Sequence, residues 1–131
     1  MSKDLALPAL VTIVALVTYF VLTINVGRAR TKFNVPAPQT SGNADFERVL
    51  RVQQNTVEQI ILFLPSLWMC ALITSPKIAA GLGAVWILGR IVFAWGYYQA
   101  AEKRGPGFGI TMLGNMGLLI GSIYGVITTL L

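Results

Sequence analysis

The chain has 131 residues, of which 55% are hydrophobic and only 11% charged, and its mean hydropathy is +0.69. That composition lies outside the range of soluble domains, and the length allows a single domain. A net charge of +5 would suit nucleic acid, but the basic residues gather between apolar runs rather than on a wet face, so no nucleic-acid partner is expected.

In chain order, membrane spans are predicted at about residues 5–27, 46–73, 76–103 and 107–131, since roughly 20 helical residues cross a hydrocarbon core of about 30 Å. The fold class is therefore all-α, an integral membrane four-helix up-down bundle forming one domain over 1–131. The first run, Leu5 to Val26, is uncharged. It is too long for a signal-peptide core, Lys3 is offset by Asp4, and Gly27-Arg28-Ala29-Arg30 is a poor cleavage site, so it reads as a retained span. The first connection, about 28–45, is the longest and carries Pro36, Pro38, Ser41 and Gly42; long loops in compact domains often serve function.

The second span is the informative one. Ile60 to Ile73 is apolar but only 14 residues long. Extending it to a full crossing takes in Gln53, Gln54, Asn55, Glu58 and Gln59, which then need protein partners or a water-filled cavity. Pro65 should kink this helix. Ser75 and Pro76 suit the N-cap and first position of the third span, Ile78 to Ala101, which Arg90 interrupts. Gly105-Pro106-Gly107 reads as a helix stop and restart. In span four, Gly117, Gly121 and Gly125 repeat every four residues, with Gly114 one position off; this small-residue ridge reads as packing.

Arg28, Arg30, Lys32 and Arg48 flank the first connection, and Lys103 and Arg104 the third. The positive-inside rule then puts both termini outside and both basic connections in the cytoplasm. The single cysteine, Cys70, allows no intrachain disulfide, and there is no histidine. A Cys/His metal site, a histidine base and a Ser-His-Asp triad are excluded, and no metal is expected.

A helix advances about 100° per residue, which puts Arg51, Asn55 and Glu58 within about 80° of Arg48, with Glu47 just beyond. Gln53 points nearly the opposite way, so a ligand that also touches Gln53 must lie between subunits. On span three, Arg90, Phe93, Tyr97 and Arg104 fall within about 60° of one another. Two helices thus present polar or aromatic stripes at the basic end. One reading is an internal network, with Glu58 paired to Arg51 or Arg90. The favoured reading is a polar-ligand site, because intramembrane charge is costly and leucine would serve packing better. Arg90, near mid-span, is expected in a structural ion pair with a buried carboxylate, or on a carbonyl; Tyr98 reads as an interface anchor. Arginines, amides and a carboxylate suit a small zwitterion: bidentate arginine holds carboxylates and Glu58 an ammonium. A lipid-facing side would admit an apolar co-substrate.

The segments FERVLRVQQNTVEQ, with Pro65 downstream, and GRIVFAWGYYQAAEKR resemble the MAPEG family, the membrane-associated proteins in eicosanoid and glutathione metabolism. The resemblance covers nearly the whole chain and is closest to the glutathione-using branch, which includes leukotriene-forming synthases and microsomal glutathione transferases. It implies a homotrimer with glutathione at each subunit interface, facing the cytoplasm. It further implies glutathione contacts from Arg51, Asn55, Glu58 and Tyr97 of one subunit, with Arg30 and Gln53 supplied by its neighbour. Arg104 matches the arginine beside the glutathione sulfur and is the expected catalytic residue. A fixed cation there lowers a thiol pKa of about 8.5 and stabilises the nucleophilic thiolate.

Phe93 and Gln59 stand where tyrosines are common in the family's pocket, and are expected to line it; Thr31 replaces a second arginine of the leukotriene-forming enzymes. These departures favour a broad transferase acting on lipophilic electrophiles, with lipid hydroperoxide reduction as a side activity, over a leukotriene-specific enzyme. The rivals are a non-catalytic lipid binder like the lipoxygenase-activating protein, against which Arg104 and the Arg51/Asn55/Glu58 set speak, and a small multidrug transporter, which typically needs a carboxylate in span one. The compact form, without a retention signal, points to a bacterial inner membrane, or to the endoplasmic reticulum in a eukaryote.

Overall fold

The computed structural model describes residues 2–131 and is all-helical, with no strand among the described residues. Four helices run Lys3–Phe33 (α1), Ala44–Ile73 (α2), Pro76–Gln99 (α3) and Gly105–Leu130 (α4), and a 3-10 turn, Ala101–Arg104, joins the last two. Each of the four is long and apolar enough to cross a membrane. Short polar side chains set three of the starts. The Ser2 hydroxyl accepts from Leu5 N, Asn43 Oδ1 from Phe46 N at 2.9 Å, and Ser75 Oγ from Ile78 N at 3.2 Å, each satisfying an orphan amide of the first turn.

α1 runs two turns past its apolar stretch, because Arg28, Ala29, Arg30 and Lys32 are good helix formers and cations suit a C-terminus. It ends at Asn34, whose φ of 55° is left-handed, a conformation asparagine tolerates better than most residues. The first connection is thus only 34–43. The Arg30 guanidinium clamps it, donating to Val35 O at 3.2 Å and Gln39 O at 2.7 Å while covering the Phe46 ring at 4.9 Å. α2 continues through Pro65 without interruption.

The deep core lies between α2, α3 and α4, where Phe63 and Trp86 stack at 3.9 Å and Leu67 and Leu118 close around them. Three glycines of α4 serve close approach within the chain: a Cβ at Gly114 would stand 3.0 Å from Trp86, at Gly117 2.7 Å from Leu82, and at Gly121 2.8 Å from Cys70 Sγ. The third connection departs from expectation. α3 stops at Gln99, and Gly105-Pro106-Gly107 is not a break but the first turn of α4. Proline lacks only an amide that a first turn leaves unpaired, and Gly107 lets α4 touch the backbone of Phe93.

Candidate functional site

Between α2, α3, the 3-10 turn and α4 lies a groove of about 490 Å³, lined by Arg51, Asn55, Phe93, Tyr97, Arg104, Gly105 and Phe108. Arg51 and Asn55 sit one helical turn apart on α2, Phe93 and Tyr97 one turn apart on α3. The 3-10 turn folds back against Gly96, where any Cβ would collide with the Lys103 carbonyl. That fold-back brings Arg104 over the Tyr97 ring at 5.7 Å, and its guanidinium donates to Ala101 O at 2.9 Å. Phe93 meets Tyr97 edge-on at 5.5 Å and Phe108 at 6.4 Å. One wall is therefore cationic and amide-bearing, and the other aromatic.

Behind this groove Arg90 is fully buried. Of the two partners expected for it, a carboxylate in an ion pair or a carbonyl, the structure supplies the carbonyl: its partners are neutral, Asn55 Oδ1 at 2.6 Å, Thr111 Oγ1 at 3.0 Å and, at the edge of bonding distance, Thr56 Oγ1 at 3.4 Å. Its charge is spread over the faces of Phe93, at 4.4 Å, and Trp86, at 5.8 Å. No carboxylate lies deep enough to reach it; the single ion pair among the described residues is Arg48 with Asp45 at the start of α2. The contact with Asn55 has a consequence for the groove. Because Asn55 Oδ1 accepts from Arg90, its Nδ2 is the free end, and the side chain offers a ligand a donor.

Four other candidates stand apart from the groove within one chain. Gln59 does not line it; its Oε1 accepts from Asn115 Nδ2 at 2.8 Å, deeper in the bundle. Gln53 Nε2 donates to the Tyr19 hydroxyl at 3.1 Å on the α1 side, and Arg30 is engaged in its loop clamp. Glu58 is exposed and pairs with neither Arg51 nor Arg90. Arg48 also leaves the stripe, turning to Asp45. Phe108 and Thr111 went unforeseen. They lie four and seven residues after Arg104 and share its face only if the helix starts at Gly105, which the Gly-Pro-Gly reading denied.

Comparison with known proteins agrees with this architecture. The MAPEG family model matches residues 8–124. An uncharacterised protein of Synechocystis is 57% identical over 96% of this chain and 92% of its own length. Human microsomal glutathione S-transferase 2 is 40% identical over 91% of this chain and 80% of its own. Guinea-pig leukotriene C4 synthase is 36% identical over 79% and 69% respectively. With a family match across nearly its whole length and relatives well above 30% identity, the chain belongs to the MAPEG family.

Proposed function

We propose that the protein is a membrane-bound glutathione transferase that joins the glutathione thiolate to lipophilic electrophiles. The observation that carries this reading is the meeting of Arg51, Asn55, Tyr97 and Arg104 in one groove against the aromatic wall of Phe93 and Phe108. Arg51 suits a glutathione carboxylate, and the Asn55 amide N–H a carbonyl or carboxylate oxygen. Arg104 is the catalytic residue: its guanidinium stabilises the thiolate while the thiol proton leaves to water. The thiolate sulfur then bonds to the electrophile, whose leaving group departs with its electron pair. The aromatic wall, open toward lipid, holds the apolar reactant.

The active unit in this proposal is a homotrimer, with Arg30 and Gln53 reaching the groove of a neighbouring subunit. Two observations support an assembly. The groove is open on one side, and Glu58 stands exposed on a membrane-spanning helix beside Ile61, 73% exposed; a carboxylate facing lipid is costly unless another copy covers it. Glu58 then reaches the glutathione ammonium within the covered site, and the basic ends face the cytoplasm.

The test is a glutathione titration of detergent-purified protein, following thiolate absorbance against pH, alongside turnover of chlorodinitrobenzene. The wild type should show a thiolate midpoint well below the free-thiol value of about 8.5, and Arg104→Ala should return it there with loss of turnover. An unchanged midpoint in the variant removes Arg104 from the mechanism. Glutathione binding without turnover of any electrophile or hydroperoxide would favour a lipid carrier instead.

A further inference from the structure

A second cleft lies on another side of α3, and it shares no lining residue with the groove above. Consecutive tyrosines divide the two: Tyr97 lines the first, Tyr98 the second. At the basic end, a cavity of about 540 Å³ opens between the end of α1, the start of α2 and Tyr98, and Arg28, Lys32 and Arg48 all line it. Arg28 and Lys32 are one turn apart on α1 and both exposed. The cavity's one carboxylate, Asp45, is taken by Arg48, and Arg48 Nε is shielded from water without a hydrogen-bond partner among the described residues. Three cations thus face a space with one neutralised acid.

Tyr98 also lines an adjoining apolar cleft of about 390 Å³ between α1 and α3, walled by Val17, Val21, Ile91 and Trp95. The one charged residue in that cleft, Arg90, is fully buried and bonded to α2 and α4. Tyr98 is the one residue common to both linings, and Asn25 Nδ2 donates to its hydroxyl at 3.2 Å, which leaves the hydroxyl hydrogen free for a further acceptor. From Arg28 down to Val17 is eleven residues of helix, about 16 Å at 1.5 Å per residue. That is the depth of one leaflet of a hydrocarbon core of about 30 Å.

We propose that these two spaces, which have Tyr98 in common, together bind one anionic phospholipid, with its phosphate among Arg28, Lys32 and Arg48, an ester oxygen on Tyr98, and one acyl chain lying along the α1–α3 cleft. Basic pockets between membrane helices take anionic headgroups by this charge complementarity. The apolar continuation at one-leaflet depth selects a lipid over a soluble phosphate. The two clefts share no lining residue with the transferase groove, and Arg90, which lines the apolar cleft and also holds Asn55, is left untouched in the test.

Trp95, 70% exposed in the cleft, reports occupancy. The full-length protein is reconstituted in phosphatidylcholine vesicles carrying a minor fraction of either dibrominated phosphatidylglycerol or dibrominated phosphatidylcholine. Quenching is taken as the difference between wild type and Trp95→Phe. Brominated phosphatidylglycerol should quench Trp95 several-fold more than brominated phosphatidylcholine. A cation near the surface enriches anionic lipid about fivefold, so Lys32→Gln should cut the excess by about that factor. Lys103→Gln, at the same end but outside the cavity, should change it less than about twofold by weaker, screened attraction. Equal quenching by the two lipids in the wild type would overturn the site, whether a second copy or any lipid covers the cleft. Equal losses in the two lysine variants would overturn it too, as diffuse attraction.

Discussion

In the proposed glutathione site recognition turns on Asn55, and Arg90 sets how that side chain is presented to the groove. An asparagine on a wet face turns freely, offering donor or acceptor. Here a buried guanidinium holds Oδ1 at 2.6 Å, so only the N–H₂ end faces the groove. Arg90→Met should leave helix content and thermal midpoint unchanged or slightly raised, because its partners are neutral and no charge is orphaned. Glutathione affinity should nevertheless fall about tenfold or more, the worth of a hydrogen bond to a charged group. Asn55→Asp keeps the size and gains an ion pair with Arg90, but removes the donor, and should weaken binding at least as much. Calorimetric titration of both variants checks this, and wild-type affinity in Asn55→Asp would end the donor role. The stripe's membership was legible from helical angle alone for Arg51, Asn55, Phe93 and Tyr97. The partner of Arg90 was not, because only packing reveals that no carboxylate reaches its depth.

At the scale of elements, the junction of α3 and α4 builds the site, and glycine is what makes it close enough. A Cβ at Gly107 would lie 2.7 Å from Phe93 Cβ, whereas Gly109, two residues on, has nothing within 4 Å. Gly107→Ala should therefore push α4 off α3 at an overpacking cost of about 1–3 kcal/mol, seen as a lower thermal midpoint with impaired turnover. Gly109→Ala should be neutral or stabilising, since alanine exceeds glycine in helices by about 1 kcal/mol. Equal behaviour of the two would remove the close-approach argument. This junction is also where sequence reasoning fell short. Two glycines around a proline carry the usual signature of a break, and local propensity alone cannot tell a break from a first turn. The outcome depends on how closely Gly107 meets the backbone of Phe93 and the Lys103 carbonyl meets Gly96, contacts across the α3–α4 junction that local propensity does not contain. The termini of α1 misled in the opposite sense: its apolar run ends at Val26, but hydropathy marks where lipid ends, not where a helix does.

For the whole molecule, the polar stretch of α2 divides its side chains between two directions. Arg51 and Asn55 face the groove, while Gln53 faces α1 and meets Tyr19. That division was legible from the 3.6-residue period; which surface Gln53 would serve was not, since one chain cannot display its neighbour. If a ring of three subunits shares each site, Arg104 of one copy works with Gln53 of the next. A heterologous ring of this kind closes on itself. Gln53→Ala and Arg104→Ala should each lose most transferase activity as pure assemblies. Co-expressed in equal amounts, they should regain about a quarter of wild-type activity, the fraction of interfaces in a randomly mixed ring where both residues are intact. A mixture no more active than the separate variants would place the whole site within one chain. A particle of one chain in detergent that keeps full activity would leave Gln53 only its bond to Tyr19.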